Sequence, residues 1–162
     1  MKTSFSVLVS LFCLLIVPAL ADNNEVYSVL AGHPVSYSSK SAEKDCDIHR
    51  LDAQGKGWCP ETDDKEQWVQ VSSMNPELWV GVVTQGVTHA DHKVTEYMVA
   101  STLDGREWTF VDKGRIFSGN SDRTTQMRSN FDQPVLARAI KLIPLKWHIH
   151  IHIRWDFIFR RL

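Results

Sequence analysis

Short runs rich in β-branched and aromatic residues recur along this chain: Trp68-Val69-Gln70-Val71, Trp79 to Thr84, Val94 to Ser101, Trp108 to Val111, Ala139 to Leu142 and His148 to Phe159. Turn residues separate them at the spacing of an all-β fold, and nothing with a sustained 3.6-residue period competes. Leu103-Asp104-Gly105-Arg106 falls between two such runs and predicts a hairpin, because Asp-Gly accepts the positive φ of a tight turn. Pro134 cannot donate to a sheet ladder and predicts a loop or an edge. In His148-Ile149-His150-Ile151-His152-Ile153-Arg154 the strict alternation predicts one strand with three histidines on a polar face and three isoleucines on a core face. The expected fold class is therefore all-β, an antiparallel β-sandwich of about eight strands, with Trp68, Trp108, Trp147 and the isoleucines of Ile149 to Ile153 in or beside its core.

Composition narrows the setting. Met1 to Ala21 has one charge, Lys2, a nearly unbroken apolar run from Val7 to Val17, and the small-x-small sequence Ala19-Leu20-Ala21, and it reads as a secretory signal peptide. The run is about 11 residues, short of the roughly 20 that span a bilayer. One domain of about 141 residues, 22–162, follows, enough to bury a core without several disulfides. There are 18 basic and 19 acidic residues, and losing Lys2 leaves a net charge of about −2 with no block of like charge. This argues against nucleic acid and against electrostatic adhesion to anionic lipid. Cys13 leaves with the leader, so Cys46 and Cys59 remain in an oxidising compartment. An even pair there favours a bridge closing a loop of about 13 residues, with two separate thiols as the alternative.

Beyond these patterns, a set of motifs appears in a fixed order: Arg50-Leu51-Asp52-Ala53-Gln54-Gly55, Gly57-Trp58-Cys59-Pro60, Gln67-Trp68-Val69-Gln70-Val71, Gly81-Val82-Val83-Thr84-Gln85-Gly86, Asp104-Gly105-Arg106-Glu107-Trp108, Gly119-Asn120-Ser121-Asp122-Arg123-Thr124, Pro134-Val135-Leu136-Ala137-Arg138 and Ile143-Pro144-Leu145-Lys146-Trp147-His148. From about Val35 to about Trp155 the chain resembles the discoidin family, the coagulation factor V and VIII type C domain, in the flavour of retinoschisin, the discoidins and the collagen-receptor discoidin domains. The resemblance implies a jelly-roll sandwich of galactose-binding type and a secreted, extracellular, non-enzymatic module binding glycans, lipids or proteins. It also implies framework roles for Arg138 and Arg154, packing their stems and bonding turn carbonyls. In collagen-receptor members the cysteine of the Trp-Cys-Pro motif pairs with one near the C-terminus, where this chain carries His152. The tail Phe157-Ile158-Phe159-Arg160-Arg161-Leu162 departs from the family and suggests an oligomer contact.

For catalysis the sequence offers no nucleophile elbow, zinc-helix motif, P-loop or dinucleotide fingerprint. The acidic run Glu61 to Glu66 reads as a solvated loop, with Asp63 and Asp64 as candidate ligands for loop calcium, a cofactor carried by some related domains. His150 and His152, two residues apart on one strand face, could share a soft metal ion, with Cys59 as a third ligand if the family's geometry brings it close. By the resemblance, ligands bind at two apical loops, Ser39 to Asp47 and Thr88 to Lys93, which designate Lys40, Glu43, Asp47, His89, Asp91 and His92 as binding residues. Lipid-inserting relatives carry large apolar tips there. These tips are small, polar or charged, so insertion lacks the roughly 1.5–3 kcal/mol per buried side chain that would drive it. The expected partner is a cell-surface or matrix glycan or glycoprotein met in cell adhesion. A matrix structural protein forming homo-oligomers is the first alternative, and a phospholipid-binding domain the disfavoured second.

Overall fold

The computed structural model describes residues 24–29, 31–43, 46, 51 and 56–161; the leader expected at 1–21 lies outside them. Eight strands form the fold, and every pairing between them is antiparallel. They are β1 (Glu25–Tyr27), β2 (Val35–Tyr37), β3 (Val69–Gln85), β4 (Lys93–Thr102), β5 (Thr109–Phe110), β6 (Phe117–Ser118), β7 (Met127–His148) and β8 (Arg154–Arg160). The main path runs β1-β8-β3-β7-β4-β5, with β2 joined to β3 and β6 to β4. This is an antiparallel β-sandwich of galactose-binding-like type.

Two strands are far longer than their apolar runs suggest. β3 fuses the segments beginning at Trp68 and Trp79 through polar Ser72 to Glu77, and its register against β7 shifts there and again between Trp79 and Gly81. Extra residues of this kind bend a strand and raise its twist, so one long strand can serve both walls of a sandwich. Pro134, expected in a loop or at an edge, lies inside β7. It is tolerated because it falls between the β3-paired residues Asn130 and Val135, where the ladder is interrupted and no N–H is needed.

The core is built around Trp58, Trp79, Trp155, Tyr97, Phe117 and Phe157, all essentially inaccessible. Trp79 donates its indole N–H to the Ala137 carbonyl at 2.9 Å and meets Phe157 and Phe159 edge-on or tilted. Of the tryptophans expected at the core, Trp147 packs against its margin. Trp68 and Trp108 are half-buried and instead face the ammonium of Lys141, which lies 5.7 and 4.1 Å from their ring centroids. The C-terminal tail is not an exposed oligomer patch: Phe157, Ile158 and Phe159 are buried in β8, which pairs with β1 on one side and β3 on the other.

The expected strand from His148 to Phe159 is broken. β7 stops at His148, β8 starts at Arg154, and Ile149 between them has a left-handed backbone with φ 63°. A β-branched residue is an outlier in that region, and here it reverses the chain. Ile151 and Ile153 are fully buried as anticipated, whereas Ile149 is 57% exposed at the tip of the turn. The predicted hairpin at Leu103 to Arg106 is present. Gly105 takes φ 76°, and the Asp104 carboxylate accepts the backbone N–H groups of Arg106 and Glu107.

Gly57 ties the first half of the chain to β8. Trp58 and Ile153 exchange backbone hydrogen bonds at 2.9 and 3.0 Å, and a Cβ on Gly57 would stand 2.6 Å from the Ile153 carbonyl oxygen. The nearest clash is with backbone, and Val87 Cγ1 would stand only 2.9 Å away on top of it, so Gly57→Ala must push the bridge apart. We expect it to cost about 1–3 kcal/mol, the range for overpacking a filled site, read as a lower denaturant midpoint with an unchanged slope.

Candidate functional site

Several connections gather at one end of the sandwich: residues 39–43 and 46, 57–64, 86–92 between β3 and β4, 119–126 between β6 and β7, and 149–153 between β7 and β8. Buried polar groups lock them together. Trp58 donates its indole N–H to the Ser39 carbonyl at 2.9 Å, and Gln67 accepts the hydroxyls of Ser38 and Ser39, each at 2.7 Å. Buried Arg154 donates to the Gly86 carbonyl at 2.8 Å, the framework role the resemblance implied. Arg138 does not share that role; its side chain lies on an exposed position of β7.

The Gly119 to Thr124 motif is the rear brace of this end. Asn120 donates its side-chain amide to the carbonyls of Thr84 and Thr125 at 3.2 and 2.8 Å, and its backbone N–H to Val94. Asp122 accepts the backbone N–H groups of Thr124 and Thr125 and the Thr125 hydroxyl. Those bonds, the Thr125 backbone first, hold its carboxyl below the usual carboxylate range. The motif therefore fixes the end of β3 and the start of β4, and with them the segment that presents His89, Asp91 and His92.

In front of the brace is a recess of about 280 Å³ lined by Ser41, Glu43, Glu61, Asp63, His92 and His150, with the Cys46–Cys59 bridge and His152 forming its floor. The cysteines are thus paired with each other, as the even count favoured. Cys59 is consequently not a thiolate ligand, although Cys46, Cys59 and His152 are the one trio among the described residues whose potential ligand atoms already lie within 4.8 Å of one another. His152 takes the place next to the bridge.

Four imidazoles meet along the recess. The ring of His89 is 4.9 Å from that of His152, His152 is 6.0 Å from His92, and His92 is 4.9 Å from His150. His150 Nδ1 lies 2.5 Å from Asp63 Oδ2, and Asp63 Oδ1 accepts the Ile151 backbone N–H at 2.8 Å. An ionised carboxylate only accepts, so His150 donates to it from Nδ1. Burial first, and then the neighbouring His150 and His89 rings, hold His92 below the ordinary imidazole value, which keeps it neutral at neutral pH. His148 is separated from this row by the turn at Ile149. Its Nε2 lies 3.2 Å from Asp91, which also receives the Lys93 ammonium at 2.6 Å. That lysine bond is the main reason the Asp91 carboxyl lies below the usual range.

The loop residues designated from sequence thus divide. His89, Asp91 and His92 stand together, and Glu43 joins His92 on the recess wall. Lys40 is half-buried and does not line the recess, and Asp47 lies outside the described residues. Asp63 and Asp64 do not act as a pair. Asp63 serves His150 and Ile151, whereas Asp64 accepts the Thr62 hydroxyl, the Gln67 amide and the Glu66 N–H, closing its own turn. What sequence reasoning missed was Asp63 as the partner of His150, and Lys93 and His148 as partners of Asp91. The alternate histidines were a visible signal; the residues they would meet, up to 87 positions away, were not.

Residues 34–157 match the family model described as F5/8 type C domain. The chain belongs to the F5/8 type C domain family. Human retinoschisin is 36% identical over 129 residues, which are 75% of this chain and 56% of that protein. The present chain thus spans about half the length of the curated relatives it matches first. Among solved structures, wild-type discoidin II from Dictyostelium discoideum superposes with a TM-score of 0.76 at 26% identity, over 86% of this chain and 60% of that one. The family 32 carbohydrate-binding module of C. perfringens NanJ, determined in complex with galactose, superposes with a TM-score of 0.65 at 15% identity, over 83% and 98% of the two chains. At that identity the likeness is one of fold.

Proposed function

We propose that this F5/8 type C domain is an extracellular, non-enzymatic binding module that recognises a cell-surface or matrix glycan or glycoprotein through its apical loops. The observation that carries the reading is the polar recess itself, with Glu43, Asp63, His92 and His150 on its walls and His89 and Asp91 beside it. Convergent donors and acceptors on loops held by a rigid scaffold suit a hydroxyl-rich ligand. A hydrolase is a poorer fit, because Asp63 and Asp64 are each engaged in separate structural bonds and do not face each other across a bond to be cleaved. Among the described residues of this end, insertion into lipid has one exposed large apolar side chain in its favour, Ile149. A single such residue contributes about 1.5–3 kcal/mol, comparable to or less than the cost of bringing the adjacent charged loop to the surface. The disulfide and the expected leader support an extracellular location. The galactose held by the NanJ module, which shares this fold, supports the ligand class.

The test is a glycan array, with and without calcium, followed by variants. Asp91→Ala and His92→Ala should each weaken binding about tenfold or more, the value of one charge-assisted hydrogen bond; affinities are compared at equal folded fraction, because Asp91→Ala also deprives the buried Lys93 ammonium of its carboxylate. Asp104→Ala is the control. It caps the hairpin at the far end of β4, about 30 Å away for a ten-residue strand, and should leave affinity unchanged at equal folded fraction. Unaltered binding by both loop variants, or a larger loss from Asp104→Ala, would sink the reading.

A further inference from the structure

We propose that His92, His150 and His152 form a site for a borderline divalent metal ion, zinc above all, within the recess, with the His89 ring packed against His152. Two imidazoles bound to one tetrahedral zinc at about 2.0–2.1 Å have ring centroids about 5 Å apart. The His89–His152 and His92–His150 pairs are both at 4.9 Å, and His152–His92 is at 6.0 Å. These contacts order the rings as a row, His150, His92, His152, His89, so a shared ion requires closing the space between His150 and His152 on either side of His92. His92 is only part-buried on its loop and His150 is 59% exposed, so rotation of these side chains closes it without moving the sandwich.

Three further features fit the same ion. Asp63 holds Nδ1 of His150 and leaves Nε2 facing outward, the carboxylate–histidine arrangement that orients and strengthens metal-bound imidazoles. Four imidazoles drawn from two separate loops stand in consecutive ring contact, a concentration of nitrogen donors at one place on the surface. Ile149, at φ 63°, is the strained residue that turns His148 away toward Asp91 and directs His150 and His152 into the row. The bridged cysteines offer no thiolate, so the donor set is imidazole, which suits zinc, copper or nickel and not calcium.

The experiment is calorimetric titration of the full chain, its disulfide verified as intact by thiol assay, with zinc chloride, and in parallel the visible spectrum of its cobalt complex. One ion per chain is expected, with the strong visible bands of a tetrahedral cobalt site and no thiolate-to-cobalt charge-transfer absorption. His92→Ala and His150→Ala should each weaken zinc at least tenfold, and Asp63→Asn by about ten- to a hundredfold. Since Asp63→Asn also removes support from Ile151, the ring proton resonances of His92 and His150 in the parent protein supply a second readout, and both should shift on adding zinc. No saturable binding by the disulfide-intact protein, equal affinity in the His92→Ala/His150→Ala double variant, or a thiolate band would overturn the assignment. The inference stands apart from the glycan reading: zinc bound in the absence of glycan supports it whatever the array shows, and array binding that survives chelation leaves the two separate.

Discussion

Replacing Trp79 with alanine should lower the melting temperature by about 10–15 °C, from a loss of about 3–5 kcal/mol. The indole is fully buried where β3 meets both β7 and β8, and it fills the space between Phe157 and Phe159. Its truncation leaves a cavity bounded by strands that cannot collapse without breaking their ladders. It also removes the donor of the Ala137 carbonyl, itself in a buried stretch of β7. Trp79→Phe separates the two contributions: it keeps most of the volume and loses the hydrogen bond, so its cost should fall well below that of alanine. Chemical unfolding monitored by tryptophan fluorescence and by dichroism reads both variants, and a loss below about 1.5 kcal/mol for alanine would show that the core tolerates the void.

The double replacement Cys46→Ser/Cys59→Ser should cost about 3 kcal/mol, the chain-entropy value for a loop of this length. The bridge spans a sequence separation of 13 and encloses Gly57 and Trp58, whose backbone bonds to Ile153 anchor the segment to the start of β8. The loss should therefore be uneven. Residues 39–43 and 56–63 are expected to lose amide-exchange protection first, while β3, β7 and β4 keep it. Reduction of the parent protein under native conditions should produce the same pattern. Uniform loss of protection would mean that the bridge supports the whole sandwich and not its apical end.

These two predictions rest on features that differ in how visible they are before folding. The apolar runs at Trp68 to Val71, Trp79 to Thr84 and Val94 to Ser101 predict strands because alternate burial has a period of two, and such a signal is local. The hairpin at Asp104-Gly105 is legible for the same reason: backbone conformation and side-chain capping are both settled within five residues. The even count favoured pairing Cys46 with Cys59 and left separate thiols open until the fold brought the two together, and the departure of the C-terminus from the family pattern misled only about its exposure. Phe157 to Phe159 is buried because β1 covers one side of β8, a partner 130 residues away that no local window contains.

The recess shows the same division more sharply. From the sequence alone come the all-β class, the polarity of the loop Thr88 to Lys93, and the presence of regularly spaced histidines between Lys146 and Arg154, because each depends on composition or on short-range order. Tertiary structure decided that the spacing is not a strand, since Ile149 accepts a left-handed backbone that a continuing ladder would forbid. It also decided which histidines meet. His148 goes to Asp91, His150 to Asp63 and His92, and His152 to His89 and the disulfide. The contacts that set ring orientation, protonation and reach join residues from four separate loops, and only the bulged strands β3 and β7, running the full height of the sandwich, bring those loops to one end.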